Sequence, residues 1–385
     1  MASAAGDGTR RKTACVTGGN GYIASALVKT LLEKGYAVKT TVRNPDDMEK
    51  NSHLKDLQAL GPLEVLRADL VEEGSFDGAV AGCDYAFLVA APVNLYAEDP
   101  EVNGTNHHTH CRFVISSSSA PVHGAHYSGC RHTAFLIRPA MAERRDRAGR
   151  ARNPQRVEVV RESGHGEARG PDIVGGRPPP PGPRGGGGMC FLDEDSWSDV
   201  EFLRSTKTGA WAYPVSKVLL EKAACAFALE HGMSLVTVCP VVTVGAAPAA
   251  KVNTSVPDIL SLLSGDDARI SKLEFIERVT GAIPMVHIDD LCRAELFLAE
   301  EKAASGRYNC GSVNTTVVGL ARFLAAKYPQ YNVKTDRYAG LTEKPRVCIS
   351  SAKLVGEGFE FMYKTLDEIY DDVVEYGRAL GILPC

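Results

Sequence analysis

Tyr213 and Lys217 are the residues whose types and spacing most directly suggest catalysis. They stand four positions apart near the start of WAYPVSKVLLEKAACAFALEHG, whose apolar residues recur with the period of a helix. Both side chains therefore fall on one helix face, one turn apart. A lysine ammonium at this distance makes the tyrosine a stronger acid and can hold the ribose of a nicotinamide cofactor, while the tyrosine gives or takes a proton as hydride moves. The alternative is a half-exposed tyrosine beside a solvated lysine, because this spacing is common by chance.

A glycine-rich turn near the start of the chain supplies a second chemical signal. In KTACVTGGNGYIASALVKTLLEKGY, residues 12–17 predict a buried strand, and a helix is predicted from Tyr22. Gly18, Gly21 and Ala24 give the spacing G-x-x-G-x-x-A. Glycines at such a turn let the backbone approach a pyrophosphate, and the helix N-terminus offers N–H donors and positive potential. Because a strand and a helix flank the glycines, a dinucleotide site is favoured over a plain turn.

The strands that follow predict which dinucleotide binds. The second strand, YAVKTTVR, ends at Arg43, where a site for NAD would usually carry Asp or Glu for the ribose 2′-hydroxyl. An arginine fork suits a 2′-phosphate instead, so NADPH is predicted, with a solvated surface arginine as the alternative. A third strand, LEVLRADL, ends near Asp69, which can meet the adenine end of the cofactor. After the tyrosine helix, SLVTVCPVVTVG predicts a strand that leads to the nicotinamide end.

Composition places the chain among globular proteins and removes several classes of function. Its 385 residues are 44% hydrophobic and 23% charged, with a net charge of −4, which gives no electrostatic case for nucleic acid as a partner. No apolar run is long enough to span a bilayer, and MASAAGDGTRRK lacks the apolar stretch of a signal peptide. Eleven scattered cysteines without a C-x-x-C pair favour a reducing, cytoplasmic setting, and no metal site is predicted.

Two domains are predicted, a NADP-binding Rossmann domain over residues 11–240 and a smaller substrate lobe over residues 241–385. His287, in MVHIDDLCRAELFLAEE, has no evident partner and is predicted to be structural rather than catalytic. The last helix is predicted to begin at Thr365, because Glu368 three residues later completes a capping-box pattern.

Many stretches of the chain resemble the extended short-chain dehydrogenases/reductases of plants, in the group that holds dihydroflavonol reductase, cinnamoyl-CoA reductase and anthocyanidin reductase. They include VTGGNGYIAS, TTVRNPDD, SHLKDLQALGPLEVLRADL, AGCDYAFLVAAPVNLYAEDPE, DEDSWSDVEFL, WAYPVSK, VHIDDLCRA and DEIYDDVVEYGRALG. With a few shorter stretches they cover nearly everything except residues 102–190. The YPVSK that follows Trp211 resembles the form found in the anthocyanidin reductases.

The resemblance implies an α/β fold, a Rossmann-type doubly wound parallel sheet with a smaller C-terminal α/β substrate lobe. It implies an oxidoreductase that uses NADPH to reduce a flavonoid, anthocyanidin to flavan-3-ol, with Tyr213 as proton donor and Lys217 beside it. The implied cofactor-binding residues are Gly18, Gly21, Tyr22, Ile23, Arg43, Asp69, Leu70, Lys217 and Pro240. Two alternatives stay open: a dihydroflavonol reductase or related carbonyl reductase, and a non-catalytic dinucleotide-binding protein.

Residues 102–190 depart from the family where its catalytic serine belongs. In the family that serine ends the fifth strand, shortly before the tyrosine helix, and hydrogen-bonds the reacting oxygen. Here the place holds ARNPQRVEVVRESGHGEARGPDIVGG, which has neither a helix nor a strand period. The chain as written is therefore predicted to lack the fifth strand and the helix before it, and to carry a disordered or irregular insert. Ser116–Ser119, in CRFVISSSSAP, are an alternative source of the serine, but they lie too early in the chain.

A shifted reading frame accounts for this departure. Read one base later from the codon of Asn153, NPQRVEVVRESGHGEARGPDIVGGR is compatible with TLNVLRSCVRAGTVRRVVLTSSAAV, which holds a helix, a glycine turn, a buried strand and the expected serine pair. The codons after Glu101 are compatible with the start of an intron, and those near Ala142 with its end. The hypothesis is a retained intron from residue 102 to about 142, followed by a real exon in the wrong frame. It predicts weak activity for the chain as written.

Overall fold

The computed structural model describes residues 10–89, 134–138, 189–207, 211–249 and 255–384. Its strands are β1 (Thr13–Val16), β2 (Ala37–Val42), β3 (Leu63–Arg67), β4 (Tyr85–Leu88), β5 (Ala134–Arg138), β6 (Cys190–Leu192), β7 (Ser234–Pro240), β8 (Val242–Val244), β9 (Ile283–His287), β10 (Gly306–Cys310), β11 (Val313–Thr315) and β12 (Val347–Ile349). Its helices are α1 (Tyr22–Glu33), α2 (Met48–Leu57), α3 (Asp77–Val80), α4 (Val200–Thr206), α5 (Ala212–Glu230), α6 (Ser255–Ile259), α7 (Ser261–Ser264), α8 (Asp267–Thr280), α9 (Ile288–Glu300), α10 (Val317–Lys327), α11 (Ala352–Gly356) and α12 (Leu366–Ala379).

Seven strands form the main sheet, in the order β10-β7-β5-β4-β1-β2-β3. Parallel ladders join β1 to β2 and to β4, β2 to β3, and β7 to β10. Successive residues of β1 point to opposite faces: Ala14 and Val16 join a core with α1 and α9, whereas Cys15 joins a core with residues of α3 and α5. Helices therefore cover both faces of a largely parallel sheet, which confirms the predicted Rossmann-type fold.

Strand β5 corrects the prediction that residues 102–190 supply no fifth strand. Residues 134–138 lie between β4 and β7 in the place of that strand, and the side chain of Leu136 is buried. The strand runs antiparallel to both neighbours, with Leu136 opposite Phe87 on β4 and Val236 on β7. Without a strand here, facing backbone groups of β4 and β7 would be buried and unpaired, and a short apolar run satisfies them in either direction. Apart from residues 189–190, where β6 begins, the rest of the predicted irregular insert lies outside the described residues.

A smaller α/β layer follows β7. Strands β11, β9 and β8 form a second sheet, in which β9 is antiparallel to β11 and parallel to β8. Residues of α6, α7, α8, α10 and α12 share a core with it that includes Ile259, Met285 and Tyr370. Strands β6 and β12 form a separate parallel pair. Both β10 and α9 come after residue 240 in the chain but pack on the main sheet. The division into domains at residue 240 therefore stays a prediction.

The start of α12 follows from a local signal in the sequence. Thr365 is the N-cap residue: the Glu368 N–H donates to its hydroxyl at 3.3 Å, and its own N–H donates to the Glu368 carboxylate at 2.9 Å. The predicted capping box is thus confirmed. Within the described ranges, no helix is both long and apolar enough to cross a bilayer.

Candidate active site

The turn between β1 and α1 requires glycine at three positions. Gly18 has a φ of 74°, a conformation that glycine adopts without strain. The Gly21 N–H donates to the Gly18 carbonyl at 2.8 Å, and a Cβ on Gly21 would lie 3.1 Å from that oxygen. A Cβ on Gly19 would lie 2.2 Å from the hydroxyl oxygen of Thr40 on β2. The turn is therefore tight and free of side chains, and a ligand can approach its backbone closely.

The N-terminus of α1 is open to an anion. Its N-cap residue, Gly21, is extended and has no side chain to cap the helix, and the first turn carries no acidic residue. The first-turn N–H groups, at Tyr22, Ile23 and Ala24, therefore meet no capping side chain and add to the positive end of the helix dipole. This is the arrangement that binds phosphate in dinucleotide sites.

The side chains of two predicted cofactor residues face the protein interior. The Tyr22 hydroxyl donates to the Gly245 carbonyl at 2.6 Å, and burial raises the pKa of Tyr22 well above its usual value. Ile23 is buried in the core with α1 and α9. Tyr22 and Ile23 can thus reach a cofactor through their backbone N–H groups, not through their side chains.

Arg43 lies beside the glycine turn at the same edge of the sheet. It directly follows β2, and the Thr41 carbonyl two residues earlier accepts the Gly19 N–H at 2.9 Å. The guanidinium is exposed and forms no ion pair within the described ranges. The nearby Asp47 carboxylate is already engaged, since it caps α2 and pairs with Lys50 at 2.7 Å. Arg43 is therefore free to meet an anionic group.

Asp69 sits in a fixed turn beyond β3. Its carboxylate accepts the Val71 N–H at 3.1 Å, and its own N–H and carbonyl exchange hydrogen bonds with the Ser75 hydroxyl at 3.1 and 2.8 Å. Leu70 follows and is half-buried. The turn holds this backbone at the edge reached by Arg43, since β3 is the parallel neighbour of β2.

Tyr213 and Lys217 lie together in the first turns of α5. Pro214 is tolerated between them because the first helical turn needs no intrahelical N–H donor there. The Lys217 ammonium nitrogen is buried and lies 5.7 Å from the centre of the Tyr213 ring. That ring packs against a cluster that includes Leu88 at the end of β4. The next residue, Val89, donates to the Thr17 hydroxyl at 3.0 Å, which places the tyrosine and the glycine turn at one edge.

Lys217 faces the end of β7. Burial raises the pKa of the Cys239 thiol to about 12, whereas the positive charges of Arg307 and Lys217 act in the opposite direction. Lys217 therefore lies near Cys239, the residue before Pro240, which is the last residue of β7. Pro240 is half-buried and pairs with Cys310. The predicted catalytic pair and the predicted nicotinamide end thus come together.

The direction of β5 determines which of its ends lies at this edge. Phe135 pairs with Leu88 and Ala134 with Val238, so β5 begins where β4 and β7 end. Its last residue, Arg138, pairs with Ser234 at the start of β7 and so lies at the opposite edge. The end of this strand, where the family carries its serine, therefore lies at the edge away from Tyr213, and the alternative serines, 116–119, lie outside the described residues.

A buried ion pair near the tyrosine helix was missed from the sequence. Glu221 on α5 forms an ion pair with Arg307 of β10, with 2.8 Å between the Glu221 Oε1 and Arg307 Nε atoms, and Glu221 is only 4% exposed. An acid in an amphipathic helix and a basic residue in a short strand are each ordinary alone. The one available signal was that Glu221 continues the four-residue spacing of Tyr213 and Lys217.

His287 has a partner that the sequence did not indicate. Its Nδ1 accepts the Asp289 N–H at 3.2 Å, so in the neutral ring Nε2 carries the proton and donates to the Asp372 carboxylate at 3.0 Å. The ring stacks on Tyr363 at 3.5 Å. These contacts join α9 to α12 and support the predicted structural role.

Comparisons with known proteins match both sides of the departing segment. Residues 10–106 match the NmrA-like family, and residues 198–311 match the NAD dependent epimerase/dehydratase family. Anthocyanidin reductase ((2S)-flavan-3-ol-forming) of Vitis vinifera is 40% identical, over 97% of this chain and 97% of its own length. Dihydroflavonol 4-reductase of Zea mays is 35% identical, over 98% of this chain and 91% of its own. The crystal structure of vestitone reductase from alfalfa (Medicago sativa) matches with a TM-score of 0.65 at 27% identity, over 97% of this chain and all of that one, 100%.

Proposed function

The chain belongs to the anthocyanidin reductase and dihydroflavonol reductase family of short-chain dehydrogenases/reductases, and from this we propose that it is an NADPH-dependent reductase that converts an anthocyanidin to a flavan-3-ol. The observation that carries the proposal is the convergence of Tyr213 and Lys217 with the glycine turn and Arg43 at one edge of the parallel sheet. The chain is more similar to the anthocyanidin reductase than to the dihydroflavonol 4-reductase, which favours an anthocyanidin over a dihydroflavonol as the substrate.

The described residues fit a dinucleotide phosphate. A turn without side chains leads into a helix that lacks a capping side chain, so the N–H groups of that first turn would bind the pyrophosphate. Arg43 would grip a ribose 2′-phosphate, because its planar fork matches phosphate oxygens and no described acid pairs with it. Asp69 would face the adenine end, and Pro240 the nicotinamide end. NADPH supplies a hydride when bound.

The chain's own groups would handle the proton. Lys217 would hold the nicotinamide ribose and stabilise negative charge on Tyr213, whose hydroxyl would give a proton to the reacting flavonoid atom. Tyr213 packs against a buried cluster that includes Leu88 and Leu220, and this packing would hold its ring in place. Because β5 is antiparallel, its last residue lies at the edge away from Tyr213, and we expect turnover of the chain as written to be slow.

Replacing Tyr213 with Phe tests the assignment. In an active form of the chain with residues 102–190 repaired, turnover should fall by about 10²–10⁴, because a positioned proton donor is lost, while the ring keeps its packing and NADPH affinity stays nearly unchanged. Tyr36→Phe is the matched control, since the Tyr36 hydroxyl donates to Glu300 at 2.6 Å before β2 begins, at the opposite edge. Turnover and NADPH fluorescence titration are measured on both. Full activity in Tyr213→Phe would move the proton donor elsewhere.

The competing functions give different outcomes in the same assays. A dihydroflavonol reductase would prefer dihydroflavonols across a flavonoid panel. A non-catalytic protein would bind NADPH and turn over none of the panel, and the direction of β5 is the observation that favours this reading. Sequencing of cDNA across the codons of residues 102–142 would show whether the departing segment is expressed.

A further inference from the structure

The catalytic face of α5 continues beyond Lys217 to a buried carboxylate. Tyr213, Lys217 and Glu221 follow one another at four-residue intervals, so their side chains lie one above the other along one helix face. Glu221 is 4% exposed and forms its ion pair with Arg307 at 2.8 Å. A carboxylate buried to this degree remains charged only while a cation stays beside it.

Arg307 is held in place from several sides. One guanidinium nitrogen donates to the backbone carbonyls of Glu194 at 2.8 Å and Ser196 at 3.1 Å. The other lies 3.8 Å from the Cys239 sulfur. The guanidinium carbon lies 4.0 Å from the centre of the Trp197 ring. Because all these partners are fixed, Arg307 in turn fixes the position of Glu221.

Three charged side chains act on the Cys239 thiol. Beyond the large effect of burial, Glu221 raises its pKa, while Arg307 and Lys217 lower it. All three charged groups therefore lie around the end of β7, next to the residue assigned to the nicotinamide end. From Lys217 through Glu221 on α5 to Arg307 on β10, the charges alternate: positive, negative, positive.

We propose that the Glu221–Arg307 pair is a positioning element that keeps Lys217 protonated and directed at the cofactor ribose and at Tyr213. The proposal rests on the proposed function, because it assigns a role in that reaction. Ionised Glu221 stabilises the neighbouring ammonium, and Arg307 holds Glu221 in place. Without Glu221, the cation of Arg307 would act on Lys217 directly, and Lys217 would lose its proton at lower pH.

Other titratable groups on the elements around α5 stay the same in the variants used below. They comprise Glu201 and Arg204 on α4, Lys222 and Cys225 on α5, Cys15 on β1, Cys83 before β4, Cys239 on β7 and Glu194 in the segment that Arg307 binds. The Glu194 side chain accepts the Asn309 N–H at 2.9 Å. A shift produced by removing one member of the pair therefore reports that member.

The experiment measures NADPH affinity from pH 6 to about 11 by fluorescence titration, and kcat/KM for a flavonoid over the same range. Glu221→Gln should move the alkaline limb of both profiles to lower pH by about 1 unit, as expected when one unit charge a helix turn from Lys217 is removed. Arg307→Met should move it up, because the Lys217 ammonium then remains as the cation that keeps Glu221 ionised, and the Glu221 charge acts on Lys217 alone. Glu221→Asp should restore the wild-type limb. Asp258→Asn is the matched control, since it removes the buried partner of Arg269 in the smaller α/β layer, and it should leave the limb in place.

Opposite shifts in the two variants support the proposal. If the pair is purely structural, both variants should be less stable and the alkaline limb should stay in place or move in the same direction in both. Either result for the limb overturns the proposal. Where Arg307→Met does not fold, Glu221→Gln with its Glu221→Asp rescue decides alone. If the wild-type chain binds NADPH without turnover, the proposed function fails while the binding profiles still decide this proposal. A wild-type chain that binds no NADPH overturns both.

Discussion

Gly19→Ala is the substitution whose effect the structure predicts most directly. The new Cβ would lie 2.2 Å from the Thr40 hydroxyl oxygen and 2.9 Å from its methyl carbon. Thr40 is buried, and its hydroxyl donates to the Val16 carbonyl at 2.8 Å. The threonine must rotate or β2 must move away. We expect a loss of about 2–5 kcal/mol in the free energy of unfolding, from overpacking together with the lost buried hydrogen bond.

A second substitution isolates the cause. Thr40→Ala removes the two closest atoms and leaves only its Cβ at 3.0 Å from the new methyl group. In that background Gly19→Ala should cost about 1 kcal/mol or less, so the double-mutant cycle should show a coupling of about 1–5 kcal/mol. The free energies come from urea unfolding of all four chains, with NADPH titration at each. NADPH affinity should fall in Gly19→Ala and recover in the double variant, because the turn regains its shape.

Gly78→Ala is the control, because the added methyl group at this glycine would contact no other atom. Gly78 lies in α3, and an added Cβ would meet nothing within 4 Å. Alanine there should be neutral or should stabilise by up to about 1 kcal/mol, because it restricts the unfolded chain. If Gly19→Ala costs the same in both Thr40 backgrounds, the contact with Thr40 is not the cause, and the account of the turn is wrong.

Three further predictions follow from single features. Arg43→Glu should weaken NADPH binding by about 1–3 kcal/mol and leave NADH binding unchanged, because a charge-assisted phosphate contact is lost; equal NADPH affinity would rule out Arg43 as the phosphate ligand. Burial raises the pKa of Glu295, whose carboxylate has no hydrogen-bond partner among the described residues, to about 8. The pKa of Glu295 is thus higher in the folded than in the unfolded chain, so the stability that its protonated form contributes is lost as pH rises from about 4.5 to 8. The free energy of unfolding of Glu295→Gln should therefore gain about 1–4 kcal/mol relative to wild type between pH 5 and pH 8. Parallel pH dependence of the two chains in urea unfolding would contradict this. Replacing residues 102–190 by the reframed segment should give a more stable chain with faster flavonoid turnover; equal unfolding, NADPH binding and turnover in the two chains would refute the frame hypothesis and make Ser116–Ser119 the leading serines.

Local signals carried the parts of the site that depend on neighbours in the chain. The glycine turn, the helix after it and the four-residue spacing of Tyr213 and Lys217 were all predicted from short stretches. The capping box at Thr365 was predicted in the same way and is confirmed. Each depends on hydrogen bonds or side-chain contacts between residues at most a few positions apart, which the order of residue types specifies directly.

The tertiary structure decided the partners and the direction of β5. His287 and Asp372 stand 85 positions apart, and Glu221 meets Arg307 only because β10 lies beside β7. The apolar run over residues 134–138 indicates a strand, but the two-residue alternation of a strand reads the same forwards and backwards. Its direction depends on which way the chain enters the gap between β4 and β7, and backbone hydrogen bonds in that gap can be satisfied either way. For this reason composition and spacing could locate the catalytic edge of the sheet, whereas only the assembled sheet could show which residues reach it.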